Sequence, residues 1–465
     1  MNQPPFNWRR VCVAAALTVG ASLGATLSCS APSWAEPVSQ AGPPQASPAQ
    51  ALPSQALPSQ APQVAPLPDE ATAQQALSRL PAWQSALQAH RAELARAQAT
   101  SANPNDWTPS ANWARRAVRR DPAEPGRASE REWAVGLSRG LRLPGKADAA
   151  EGWAQRQRER AEAQLALIWL ELGRGLIQDT AEWLLASQQA RLWEAHWRLQ
   201  QEQHQAVSRR HQLGDAARQD VILLDAARAQ AESQWLQARH QARVAEASWR
   251  SRYPGLILPA WPDGAALVAE AAVQVATPLT PEALDARLAD HPAWRHAELH
   301  AQVLEAQARH AEAERRPDPT VGVQYGRDAN GAERVWGVNV SWPIGGEARS
   351  RQAEAQVADA LAARTALEGV RRQLQLELAR HLAEVALGDQ AWRASAHAAA
   401  QTQAAAQALR KGQELGQVGV SEVLLMQRQL IEQQQVAAQA ELNAWQARMR
   451  WELESGGLWA PPRVD

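Results

Sequence analysis

SWPIGGEARSRQAEAQ, residues 341–356, changes its periodicity in mid-stretch, and that change decides the fold. Up to it, Trp336, Val338, Val340 and Trp342 alternate with Gly337, Asn339 and Ser341, the period of a strand. After it come Ala, Gln, Arg and Glu with apolar residues at threes and fours: Val357, Leu361, Leu367, Val370, Leu374, Leu378, Leu382 and Val385. That narrow stripe, close to a heptad seam, predicts a helix from Gly346 to about Glu414, roughly 100 Å at about 1.5 Å per residue. Pro343 ends the strand because it has no N–H for a ladder, and Gly345 and Gly346 are expected to allow the bend. Gly388-Asp389 is the one point where the helix is expected to break.

The switch has a twin. GLRLPGKADAAEG at 140–152 matches NVSWPIGGEARS at 339–350, placing Pro144 and Gly145 opposite Pro343 and its glycines. QLGDAARQDVILL at 212–224 matches ELGQVGVSEVLLM at 414–426, with Leu, Gly, an acid and Val at identical spacing. Pro81-Ala82-Trp83 matches Pro292-Ala293-Trp294. The chain thus reads as two copies of one unit: helix, strand, turn, strand, long helix, Leu-Gly turn, long helix. The expected boundaries are an export signal over 1–35, a disordered tether over 36–68 and a first repeat over 69–255. A connector over 256–280, a second repeat over 281–457 and a tail over 458–465 follow.

The other expected strands are 105–118, which alternates weakly, 132–143 and 320–327. In 132–143 Trp133, Val135, Leu137, Leu141 and Leu143 share a face that Arg139 interrupts. The first hairpin is expected to carry a long loop, RRAVRRDPAEPGRASERE. Apolar-out, small-polar-in strands with terminal Trp suit a membrane β-barrel with a wet lumen. Four strands cannot close a barrel that holds water, so several chains must share one.

Composition narrows the classes. Lys+Arg 48 against Asp+Glu 49 gives a net charge of -1, which argues against nucleic acid as a partner. Trp 21 beside Tyr 2 and Phe 1 is unusual, and long stretches lack Gly and Pro. Arg9-Arg10, the apolar run Val11–Leu27 and Ser33-Trp34-Ala35 read as a cleaved export signal. Cleavage there removes Cys12 and Cys29 and excludes thiol chemistry; Cys29 lipidation is the alternative, although Leu27 is poorly placed for a lipobox. Residues 37–68, with a tandem ALPSQ, are too polar and Pro-rich to fold.

These features resemble the outer-membrane factor family, the TolC-like exit ducts, and GLRLPGKADA looks most like its heavy-metal efflux branch. The resemblance covers about residues 69 to 457. It implies a mainly α fold with membrane β: a homotrimer whose four strands per chain form a twelve-stranded barrel continued by an α-helical periplasmic tube. It implies partners too, a periplasmic adaptor and an inner-membrane pump, met at tips carrying Leu213, Gly214, Asp220, Leu415 and Gly416. Glu422 would line the constriction as an anionic ring; Leu425 stands where such members carry its companion. Trp133, Trp336 and Trp342 are the candidate membrane-interface aromatics.

Plainer explanations exist for several of these residues. Glycine ends a helix left-handed, an acid suits the next helix's first turn, and Ser421 suits an N-cap. Gly136-Leu137-Ser138-Arg139-Gly140 fits a hydrolase pattern but lies inside a strand, so no enzyme is expected. His291, His296 and His300 fall near one helix face, yet no Cys or clustered carboxylates accompany them, and no metal or cofactor is expected. His196, His204 and His211 read likewise, and Trp169, Trp183, Trp197, Trp445 and Trp451 read as packing. The alternative for the whole chain is a periplasmic coiled-coil scaffold or adaptor, which should show one helical hairpin rather than two.

Overall fold

A computed structural model describes residues 67–119, 127–262, 267 and 281–462. The expected export signal, nearly all of the tether and most of the connector lie outside the described residues. So does the centre of the first hairpin's loop.

The elements run α1 (Glu70–Ser78), α2 (Pro81–Ser101), β1 (Thr108–Arg119), β2 (Arg127–Gly140), α3 (Lys146–Gln212) and α4 (Arg218–Arg252). Then come α5 (Pro281–Asp290), α6 (Pro292–Glu314), β3 (Thr320–Asp328), β4 (Glu333–Ser341), α7 (Glu347–Glu414) and α8 (Val420–Glu454). Pro81 and Pro292 both open their helices at the first position, where a missing N–H costs nothing.

Helix α7 runs unbroken for 68 residues and α3 for 67, each about 100 Å at ~1.5 Å per residue. Gly388-Asp389 therefore does not interrupt α7, contrary to expectation. A Cβ on Gly388 would stand 3.4 Å from the Cα of Ala444, and Asp389 pairs with Arg448. The pair marks where α7 and α8 cross closely. Glycine serves backbone approach there, and hydrogen bonding within the helix is undisturbed.

The long helices pack through heptad seams of small residues. In α4 the buried positions are Leu224, Ala231, Ala238 and Ala245; in α7 they include Ala353, Ala360, Leu374, Leu378, Val385, Ala399 and Ala406. Leu378 follows Leu374 by one turn, a stutter that resets the seven-residue period. Val357 and Leu361, expected in this stripe, are exposed, because the buried seam here uses Ala353 and Ala360. Side by side the helices run α2, α3, α6, α7, with α4 packed on α3 and α8 on both α7 and α3.

The main core lies where these layers meet the chain's ends. Trp83 meets Trp169 edge-on at 5.1 Å, and Leu176, Ile177, Leu184, Trp249, Trp445 and Leu453 fill around them. The Trp169 indole donates to the Trp459 carbonyl at 2.6 Å, and the Trp459 indole to that of Pro68 at 3.2 Å. The packing role expected of the helical Trp residues holds for Trp169 and Trp445, both nearly fully buried. Trp183 packs against the same core while donating to the Pro259 carbonyl, Trp451 packs against Leu288, Leu374 and Leu378, and Trp197 stacks on Trp235 at 4.5 Å.

All four strands form one antiparallel sheet, β1-β2-β3-β4, leaving β1 and β4 as its edges. Two strand expectations need correcting. Strand β2 starts at Arg127, and β1 reaches Arg119, so most of the segment read as a long loop is ladder, Ala117 facing Ser129. At its other end β2 stops at Gly140, so Leu141 and Leu143 lie beyond it. Leu141 still donates to the Pro319 carbonyl, but the Leu143 N–H goes to the Asp318 carboxylate.

Candidate functional site

The sheet is inside out. On β3 and β4 one face carries Val321, Val323, Tyr325 with Trp336, Val338, Val340, and β2 adds Trp133, Val135 and Leu137 in register. Most of this apolar face is uncovered: Trp336 is 79% exposed, Val338 75% and Val340 66%. The opposite face carries glycines and small polar residues, Ser110, Asn112, Gly136, Ser138, Gly322, Gln324 and Asn339, set closely side by side. A Cβ on Gly136 would come 2.7 Å from the Ser110 Oγ, and one on Gly322 2.5 Å from the Asn339 Oδ1. A sheet that works in water buries its apolar face, whereas this chain leaves a continuous row of Trp and Val uncovered, the alternation of a membrane-facing sheet. Strands β3 and β4 are 9 residues each, matching the about 9–11 needed to cross a bilayer.

The aromatic candidates separate. Trp133, Tyr325 and Trp336 form a ladder across three strands, with ring centroids 5.9 and 4.6 Å apart. Trp342 stands at the other end of the sheet, one residue beyond β4 and 64% exposed. Two further residues went unnoticed in the sequence. Trp113 lies directly opposite Trp133 and is 80% exposed. Trp107, at the helix end, lies 5.2 Å beneath the Arg139 guanidinium, whose Nε donates to the Asn105 carbonyl. Arg139 therefore closes the apolar face at its helix end and does not interrupt it. The first strand alternates too weakly for either Trp to be assigned a face from sequence.

The two strand-to-helix junctions lie on either side of the α6–β3 connection. At the first, Gly145 takes φ 83, and Lys146 opens α3 with a side chain only 2% exposed. Its Nζ lies 3.0 Å from Glu314 and 2.9 Å from Asp318. Asp318 also accepts from the Leu143 N–H and the Asn105 side chain. Burial works to raise the Asp318 carboxyl, but Lys146 and these donors hold it below its usual range. At the second junction Gly345 lies 3.4 Å, from a notional Cβ, to the Arg315 carbonyl. Gly346 has φ -110 and open space around it, so it needs no glycine freedom. Left-handed backbone at the junctions thus belongs to Gly145 and not to Gly345 or Gly346. The Lys146 cluster had no local sequence signal, because its acids lie more than 160 positions away.

The tips are alike. Gly214 at φ 82 and Gly416 at φ 74 close α3 and α7. The Asp215 N–H returns to the Arg210 carbonyl at 2.8 Å and the Gln417 N–H to that of Gly412 at 2.8 Å, the double closure of a Schellman motif. Leu213 and Leu415 protrude, 84% and 73% exposed. Asp220 and Glu422 fall in the first turns of α4 and α8. The N-cap of α8 is Gly419, so Ser421 lies inside the helix and does not cap it. Val207, Leu224 and Val420 pack together and bring the two tips side by side.

Further up, α3, α7 and α8 are tied through Glu454, which accepts from Arg174 at 2.8 Å and lies 2.6 Å from the His381 Nδ1. The bond to Glu454 raises His381 above the usual imidazole range. His291 caps α6 by accepting from the Ala293 N–H at 3.2 Å. Burial foremost, then Arg160, holds His296 and His300 below the imidazole range. Among the described residues no group of three or more His, Cys, Asp or Glu could hold a metal ion. None of their helices is long and apolar enough to cross a membrane.

No protein-family model matches the chain, and no curated protein matches it either. Solved structures do. The outer-membrane channel OprN is similar with a TM-score of 0.68 at 20% identity, covering 84% of this chain and 90% of that one. The transmembrane channel CusC gives 0.68 at 15% identity, covering 86% and 99%. The Vibrio cholerae outer membrane protein VceC gives 0.64 at 17%, covering 84% and 96%. The chain has the fold of outer-membrane channel proteins.

Proposed function

We propose that three copies of this chain form a passive duct through the outer membrane, continued by a helical tube across the periplasm. The observation that carries it is the four-stranded sheet, one face an uncovered row of Trp and Val and the other a face of Gly, Ser, Asn and Gln. Among the described residues β1 and β4 have no ladder partner on their outer sides. Four strands cannot enclose water, while three chains supply twelve. In this reading the two halves are copies of one unit, and α2 of one subunit packs beside α7 of the next. The paired hairpins and membrane-type sheet also speak against a periplasmic adaptor.

The tips, with Leu213, Gly214, Asp220, Leu415 and Gly416, meet a periplasmic adaptor coupled to an inner-membrane pump, which supplies the energy. Three copies of Glu422 line the constriction. The cargo is small toxic solutes or metal cations, passed without chemistry. Purification from outer membranes should give a heat-modifiable trimer that conducts ions in planar bilayers. A monomer soluble without detergent ends the proposal. Glu422→Gln should lower cation preference; an unchanged reversal potential removes Glu422 from the constriction.

A further inference from the structure

Beyond the apolar band, at the sheet end remote from the helices, the outward face turns cationic. Strand register sets Arg327 beside Trp133 and Arg334 beside Arg327, while one row further Arg115 faces Arg131. Alternation puts all four on the same face as Trp113, Trp133, Val135 and Val338. Among the described residues the acids of this region, Glu130, Glu132, Asp328 and Glu333, occupy the alternate positions and so the opposite face. Arg116, which shares that face, is spent on Glu132 at 2.7 Å. Arg115, Arg131 and Arg334 are exposed, and Arg115 donates to the Ser129 hydroxyl at 2.9 Å.

Among the described strand residues the acids lie inward together with Arg116, while Arg115, Arg131, Arg327 and Arg334 lie outward. From the row of Val321 and Val340 to that of Trp113 and Trp133 the apolar band measures about 20 Å along the strands, at ~3.3 Å per residue. Arg327 and Arg334 therefore sit in the band's last row, level with the Trp pair, and Arg115 and Arg131 about 7 Å beyond it at ~3.3 Å per residue. Guanidinium forks fit phosphate oxygens two at a time, and a row of them over an apolar wall suits a ligand with an anionic head and several acyl tails. The geometry points to a docking surface for phosphomonoester-bearing lipid of the outer leaflet, its phosphates on Arg115, Arg131, Arg327 and Arg334 and its chains along Val135, Val323 and Val338. This rests on the duct reading, which puts that face in the membrane. The segregation leaves the lumen side acidic and the lipid side basic, so the surface selects for lipid and not for cargo.

The test uses the full-chain trimer in detergent, with diphosphoryl lipid A, the same lipid dephosphorylated, and inorganic phosphate as probes, read by native mass spectrometry. Wild type should bind the diphosphoryl lipid at least about tenfold more tightly than the dephosphorylated one. R115Q/R131Q/R327Q/R334Q should erase that preference, whereas R139Q, at the opposite end, should keep it. Should the quadruple variant fail to assemble, R334Q alone, on an exposed strand position, should still reduce the preference several-fold. Equal binding of both lipids by wild type, or full preference in the arginine variants, overturns the inference. Displacement of the lipid by inorganic phosphate overturns it as well, by making this a free-anion site. A trimer that inserts and conducts but lacks lipid preference breaks only this inference; a chain that never inserts breaks the duct reading too.

Discussion

The two strand-to-helix junctions share a sequence pattern and differ in what holds them. At the β2–α3 junction a buried lysine sits between two carboxylates, and one of those carboxylates also ties down the turn's backbone. At the β4–α7 junction two glycines turn the chain, and Ile344 is 96% exposed. The first junction lies in the middle of the sheet and helix layers, with α6 and β3 of the same chain against it. The second lies at the sheet edge formed by the described residues, and the first turns of α7 are tied through Arg315 to the Ser350 hydroxyl at 3.0 Å and Arg349 to the Glu314 carbonyl at 3.4 Å, both exposed. The first junction is closed by a buried charge cluster, the second by solvent-facing hydrogen bonds. Helix α7 is tied within the chain further along, through Asp285–Arg371 and Glu454–His381.

Lys146→Ala should be the most damaging test of this contrast. It leaves Glu314 and Asp318 facing each other without a cation, at a cost on the order of 3 kcal/mol, measurable as loss of folding stability in denaturant. A change under about 0.5 kcal/mol would mean that the first junction is no more anchored than the second. Asp318 gives a pH version of the same test. Its carboxyl is depressed in the folded chain, so its contribution is present above the ordinary aspartate value, about 4, and is lost as pH falls through the folded value. Asp318→Asn should cost about 1–2 kcal/mol at neutral pH and progressively less in acid, while wild type itself weakens there.

Glycine substitutions separate the junctions next. Gly145→Ala forces a side chain into left-handed backbone at φ 83 and should cost about 1 kcal/mol, whereas Gly346→Ala, in extended backbone with open space, should stay within about 0.5 kcal/mol. Thermal melting of the purified protein reads both. At the tips, where the two halves agree, Gly214→Ala and Gly416→Ala should instead cost the same, about 1 kcal/mol each. The smallest effect belongs to His381→Gln. Because Glu454 raises the imidazole, its contribution is full below the ordinary histidine value of about 6.5 and fades as pH rises through the folded one. The variant should lose about 1 kcal/mol at pH 6 and nothing once wild-type His381 is neutral.

Much of this was legible because local chemistry repeats itself. The period change at SWPIGGEARSRQAEAQ located β4 and α7, and ELGQVGV located a tip glycine that only a left-handed residue could fill. Three features misled, each for a stated reason. Gly388 looked like a helix breaker, since sequence cannot tell a weak helix position from a place where another backbone comes close. RRAVRRDPAEPGRASERE looked like a loop because its charges mask alternation, yet its two ends pair as ladder. Arg139 looked misplaced on an apolar face until its position, the last outward residue of β2, placed it over Trp107.

The sequence by itself determined the element types, their order and the residues at which strand turns into helix, because periodicity, proline and glycine act on the chain within a few residues. Only the tertiary structure decided which glycine needed left-handed backbone, which face of the sheet was uncovered, and that Lys146 lies between Glu314 and Asp318. It also lined up Arg115 with Arg131 and Arg327 with Arg334. Those depend on register and on contacts between distant segments, and no local pattern encodes how far one strand slides against the next.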